Sequence, residues 1–147
     1  MKIFLCLLFL CVWSNLVMAN NNVETTLSQY AWDKRQLIVF TPNETYPEYI
    51  KFKQALSESV FEIKDRKLHT WHVIKNKQVR LNTKIINEFT NTEIRSTYGV
   101  ELDEFRVILI GYDQGEKLRQ TRSDISDIFY NIDQMPMRIQ EIENGKK

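Results

Sequence analysis

A single α/β domain is the fold class predicted by this 147-residue sequence, with elements in the order β-α-β-α-β-β-α, a mixed sheet of about four strands, and helices on both faces. Three observations predict it. Residues 105–110 put Phe105, Val107 and Leu109 on one side of a strand and Ile108 and Ile110 on the other. A strand apolar on both faces needs cover on both and belongs inside a sheet. Residues 36–63 read as a strand, a short loop and a helix capped at Thr45 with Pro47 inside its first turn, the start of a βαβ unit. Near the end of the chain, Ile125, Ile128, Phe129 and Ile132 recur at the spacing of one buried helical stripe.

Residues 1–19 stand apart from this domain. Lys2 gives a positive start, residues 3–13 are apolar, and Val17-Met18-Ala19 has the small-residue pattern of a signal-peptidase site. The expected product is a secretory signal cleaved between Ala19 and Asn20, with one domain over residues 20–147. Its apolar run is too short to span a bilayer, and no later stretch approaches ~20 apolar residues, so no membrane anchor is expected after cleavage. The expected location is outside the cytoplasm, periplasmic in a Gram-negative source and secreted otherwise.

Both cysteines, Cys6 and Cys11, lie in that leader. The domain is therefore expected to fold without a thiol or a disulfide in a compartment that permits disulfides. Without Lys2, 19 basic residues face 19 acidic ones. A neutral domain has no electrostatic footprint for nucleic acid, and Lys75–Arg80 reads as a solvated loop.

In chain order, residues 20–28 read as a polar lead-in. Residues 36–41, rich in β-branched and aromatic side chains, form a short buried strand. Thr45-Tyr46-Pro47-Glu48 has the pattern of a capping box with Thr45 at the N-cap. Tyr49, Phe52 and Leu56, continued by Val60 or Ile63, give the helix its apolar stripe. Residues 68–74 form a second strand carrying His69 and His72, which alternation sends to opposite faces, so they cannot chelate one metal together. Residues 81–90 fit a helix capped at Asn82 with Ile85, Ile86 and Phe89 inward. Residues 92–98 fit a helical piece closed by Gly99; one continuous helix or two are both compatible with the pattern. After the strand at 105–110, Tyr112-Asp113-Gln114-Gly115 reads as a tight turn with Gly115 at positive φ, and residues 116–119 return antiparallel. Ser123 is the expected cap of the last helix, with Asp124 in its first turn, and Pro136 ends or kinks it near Gln134. Residues 137–143 add a last turn.

No catalytic constellation, metal site or cofactor motif emerges. There is no nucleophile elbow. Asp103-Glu104 and Asp124/Asp127 read as solvated faces, and Asp113-x-Gly115 lacks the series of oxygen ligands a calcium loop needs. Asn43-Glu44-Thr45 is a glycosylation sequon if the source is eukaryotic.

Residues 109–119, with Gly111, Asp113, Gly115, Lys117, Leu118 and Arg119, and residues 132–138, with Asp133, Met135, Pro136, Met137 and Arg138, closely resemble the domain of unknown function 4174 family. Trp32, Arg35, Asp65-Arg66 and Ile94-Arg95 match its weaker motifs. Tyr112 stands where that family usually has lysine, and Gln114 where it usually has glycine. The resemblance implies a thioredoxin-like three-layer sandwich related to peroxiredoxins, found in small exported bacterial proteins and in secreted animal proteins with sushi repeats. In redox-active relatives of that fold the thiol lies between the first strand and the first helix. Here residues 40–47 contain none, and no proline precedes the strand at 105–110.

Three functions follow from this. The first is a non-enzymatic binding or interaction module for a protein or small ligand. The second is an enzyme using non-thiol chemistry on the scaffold, and the third a non-reacting partner of a redox system. If the scaffold is thioredoxin-like, the binding face is Thr41, Pro42 and Asn43, exposed beside the free N–H groups of the Thr45-capped helix.

Overall fold

The computed structural model describes residues 22–146, so the Ala19–Asn20 cleavage site lies outside the described residues. Helix α1 (Asn22–Ser28) precedes strand β1 (Arg35–Thr41), α2 (Pro47–Glu58), α3 (Val60–Asp65) and β2 (Leu68–Ile74). A small hairpin, β3 (Arg80–Leu81) and β4 (Lys84–Ile85), leads to α4 (Asn91–Tyr98). Strands β5 (Arg106–Ile110) and β6 (Glu116–Gln120) are followed by α5 (Ile125–Asp133) and α6 (Pro136–Asn144).

The strands form one sheet in the order β4-β3-β2-β1-β5-β6. β1 runs parallel to β2 and antiparallel to β5, and the outer pairs are antiparallel. Every residue of β1 is buried, as expected of a strand flanked on both edges and covered on both faces. Alternation divides the core in two. Ile38, Phe40, Trp71, Val73, Ile108 and Ile110 meet Val23 of α1 and Ile94 of α4. Leu37, Val39, Val107 and Leu109 meet Tyr49 and Phe52 of α2 and Ile128 and Ile132 of α5. The fold is thus mixed α/β with helices on both faces, built on six strands rather than four.

The two extra strands, within residues 80–85, fall largely on residues 81–90, where a helix was expected. Asn82 takes the left-handed conformation (φ +52°), donates its N–H to Thr70 O at 2.6 Å and accepts Thr70 N–H on its Oδ1 at 3.0 Å. This edge pairing with β2 outweighs a helical spacing. Ile86 and Phe89 are buried, but Ile85 is 48% exposed, not inward. Residues 92–98 do form the expected helix; Thr90 and Glu93 make a reciprocal capping box, and Gly99 closes it at φ +60°.

Other local expectations are corrected. The lead-in is helical over Asn22–Ser28, because Val23 and Leu27, four residues apart, are drawn into the core. Thr45 does not cap α2; the N-cap is Tyr46 with no side-chain bond, and Thr45 donates both its N–H and its hydroxyl to Asn43 Oδ1. Glu48, the supposed partner of Thr45, instead accepts from the N–H (2.9 Å) and hydroxyl (2.7 Å) of Ser123. Ser123 is thereby diverted, and Asp124 caps α5. The apolar stripe of α2 stops at Ser59, leaving Val60 exposed while Ile63 packs on the core. Pro136 ends the α5 segment and opens the nine-residue α6 as its first residue. In the β5–β6 turn the positive φ belongs to Gln114 (+64°), not Gly115.

Candidate functional site

The two ends of β1 differ sharply. At its C-terminal end Thr41 is 0% exposed, not exposed as expected, and its hydroxyl donates to Asn43 O. Pro42 is half-buried and Asn43 is exposed. Arg95, from the Ile94-Arg95 stretch, reaches under this end and donates to Thr41 O (3.0 Å), Val73 O (3.2 Å) and Asn91 Oδ1 (2.9 Å). It ties off carbonyls where β1 and β2 stop, a structural role at the edge where the binding face was expected.

At the N-terminal end sits Arg35, 1% exposed, its guanidinium 4.0 Å from the centre of the Tyr112 ring. Arg35 Nη1 donates to Arg66 O (2.9 Å), to Tyr112 Oη (2.9 Å) and to Glu141 Oε2 (3.3 Å). Glu141 Oε1 in turn accepts from the Tyr112 hydroxyl at 2.5 Å. Burial, then the bond to Glu141, keeps the Tyr112 phenol protonated well above its usual range.

Beside this knot lies a second. Arg138 Nη2 is bonded to Asp65 Oδ2, its Nη1 donates to Asp65 O (3.0 Å), and its Nε donates to Asp133 Oδ1 (3.2 Å). Arg66 Nη2 donates to the other Asp133 oxygen at 2.6 Å, and its guanidinium stacks over Phe129. Burial disfavours charge on Asp133, but Arg66 and Arg138 outweigh it and hold the carboxyl below its usual range. Together the two knots clamp the α2–α3 arm and α5–α6 to the start of β1.

Over Arg35 opens a cavity of roughly 280 Å³. Trp32, Gly111 and Lys117 form part of its wall, with Met135, Pro136 and Met137 completing it from the α5–α6 junction. Trp32 is 66% exposed and holds φ +63°, a conformation that costs a bulky residue on the order of 1–3 kcal/mol. Lys117 Nζ pairs with Asp113 Oδ2 at 2.7 Å, and Asp113 Oδ1 accepts the N–H of Gly115. A side chain on Gly111 would meet Lys117 Cε at 2.5 Å and Asp113 Oδ1 at 2.9 Å, so a larger residue here would displace the Lys117–Asp113 pair.

Eight of the eleven motif residues singled out in the sequence therefore meet in one place: Gly111, Asp113, Lys117, Met135, Pro136 and Met137 around the cavity, and Arg138 with Asp133 in the adjoining knot. Leu118 instead packs into the core, and Arg119 pairs with Glu116 and donates to Tyr98 O, away from the cavity. Gly115 serves the turn. Sequence reasoning missed Glu141 and the role of Tyr112; the one signal was the helical spacing of Glu141 from Arg138.

The family comparison covers this whole arrangement, matching residues 26–141. The chain belongs to the family described as Domain of unknown function (DUF4174). The matched span runs from α1 through Glu141, so the DUF4174 domain contains both knots and the cavity. No curated protein and no solved structure matches the chain.

A larger groove, about 600 Å³, lies between α2, α3 and the β3–β4 hairpin but holds none of the motif residues. His72 lines it, accepting or donating to Tyr49 Oη at 3.0 Å. Burial first, then Arg80 and Lys53, lowers the His72 pKa to about 4. His69 faces the opposite side of the sheet, against Tyr30. Among the described residues, no group of three or more His, Cys, Asp or Glu is placed to hold a metal ion. No helix among them is long and apolar enough to cross a membrane.

Proposed function

We propose that this is an exported, thioredoxin-like binding domain whose ligand site is the cavity over Arg35 rather than the edge at Thr41, Pro42 and Asn43. One observation carries the reading: two separate stretches, 111–117 and 135–137, each bearing motif residues, converge with Trp32 and a fully buried arginine on a single cavity. A stability role would be met by the ion pairs alone; it gives no reason for a strained, exposed tryptophan at the mouth.

The thioredoxin-like part of the proposal is supported by the four central strands. Their order is β2-β1-β5-β6, with the first pair parallel and the others antiparallel, between helices on both faces. Residues 20–147 contain no cysteine, so thiol chemistry has no group to work through in the segment that follows β1. Export rests on the leader pattern in residues 1–19. The partner is a small ligand or a segment of a protein, not nucleic acid.

Retention from concentrated secreted or envelope extract, read by mass spectrometry, tests the site. Trp32→Gly removes the ring and relieves the positive φ, so it should fold at least as well as the parent. It and Met135→Ala should reduce retention of the bound species by about tenfold or more, ~1.4 kcal/mol, while Asn43→Ala leaves it unchanged. The reverse pattern would return the site to the end of β1.

A further inference from the structure

Arg35 is held by one nitrogen only. All three hydrogen bonds of its guanidinium run from Nη1; Nε and Nη2 are buried and have no partner among the described residues. These two nitrogens lie on one edge of the guanidinium, and their parallel N–H groups form the fork that takes both oxygens of a carboxylate. Leaving such donors buried and unsatisfied costs on the order of 1–3 kcal/mol each, so a ligand that supplied acceptors to both would recover that cost.

The surroundings narrow the class of ligand. Arg35 lines the cavity, and the rest of the wall is mainly apolar: the Trp32 ring, Pro136 and the two thioethers of Met135 and Met137. Methionine adapts to varied apolar shapes. The other cation at the wall, Lys117, is engaged by Asp113. A phosphate, with three or more charged oxygens, would find one fork and little else. A carboxylate on an apolar body satisfies both the fork and the wall. The volume, roughly 280 Å³, suits a small molecule or a chain end rather than a folded surface.

Resting on the cavity as the binding site, we infer that its ligand is a small apolar carboxylate, either a free carboxylic acid or the C-terminal residue of a peptide, held bidentately by Nε and Nη2 of Arg35 with its apolar part under Trp32 and against Met135 and Met137.

The test compares acids with their own amides, which match in shape but lack the charge. The purified chain, labelled with ¹³C at the methionine methyls, is titrated with 3-phenylpropanoate and 3-phenylpropanamide. A second pair is the dipeptide acetyl-Ala-Leu with a free and an amidated C-terminus. Met135 and Met137 methyl shifts and Trp32 fluorescence report occupancy. At least one acid should bind tenfold or more tightly than its amide, and whichever acid does so identifies the source as free acid or chain terminus. Arg35→Lys, which keeps the charge but loses the fork, should remove that preference; because this variant can also misfold, the acid-to-amide ratio in the parent protein is the deciding measurement. Acid and amide binding equally, with both methyls shifting, would overturn the carboxylate inference and leave the cavity as the site. Failure of every probe to move the methyls would overturn it as well, with the retention experiment then deciding the fate of the cavity itself.

Discussion

Tyr112 and Glu141 are joined by a 2.5 Å hydrogen bond that ties the end of β5 to the last turns of α6. The tyrosine donates, and the same carboxylate accepts from buried Arg35. Each is therefore needed by the other two. Tyr112→Phe keeps the ring over the guanidinium but removes an acceptor for Nη1 and the donor to Glu141. It should cost about 1–3 kcal/mol in urea unfolding. An unchanged midpoint with an unchanged slope would show that the bond contributes nothing.

The β5–β6 turn gives a prediction of opposite sign. Gln114 holds φ +64°, where glycine carries no Cβ penalty, so Gln114→Gly should be neutral to about 1 kcal/mol stabilising. Gln114→Val should destabilise by more than that. Gly115→Ala would bring its Cβ within 3.3 Å of Asp113 Oδ1 and Lys117 Nζ, both flexible ends, and should cost less than about 1 kcal/mol. A larger loss at Gly115 than at Gln114→Val would mean the turn is assigned to the wrong residue.

How much of this could be read from the chain depends on the range of each interaction. Strands β1, β2 and β5 were legible because apolar faces and alternation are local, and α4 because its cap lies within its own residues. Residues 81–90 were misread because Ile85, Ile86 and Phe89 fit a helix, while the bonds that decide otherwise join Asn82 to Thr70, twelve residues away. The caps of α2 and α5 failed for one shared reason: Glu48 and Ser123 satisfy each other across 75 residues. The motif stretches were visible as stretches. Their convergence was not, since it depends on Arg35 and Glu141 meeting across 106 residues.

Arg138 tests the second knot. It satisfies Asp65 and Asp133 at once, and both carboxylates are partly solvated. Arg138→Met should therefore destabilise by about 1–3 kcal/mol, below the range for a fully buried pair broken on one side. Arg138→Lys should recover only part, because a single ammonium cannot reproduce contacts made by three nitrogens. Full recovery by lysine would reduce the knot to a matter of charge.

Stability should depend on pH through His72. Its folded pKa of about 4 lies below the ordinary 6.5 because burial, then Arg80 and Lys53, disfavours the proton. Between about pH 4 and 6.5 the unfolded chain binds a proton that the folded chain does not, so stability falls as pH drops through that window and is fully present above it. His69, also lowered by burial and by Lys34, adds to the same slope. Glu48, held at about 2 by Lys51 and then Ser123, contributes only below about 4.5. His72→Gln should flatten unfolding free energy against pH in the upper window. A slope identical to the parent's would show that His72 titrates normally.

The measurement closest to the central claim uses the methionines. Residues 20–147 contain two, Met135 and Met137, and both line the cavity over Arg35. Whatever species the protein retains from its own compartment can be added back to methyl-¹³C-methionine protein and followed by NMR. Both methyl resonances should shift in proportion to occupancy, and Trp32→Gly should weaken the response by about tenfold or more. Saturating binding, verified by calorimetry, that leaves both methyls unmoved would contradict the account and place the ligand elsewhere on the molecule.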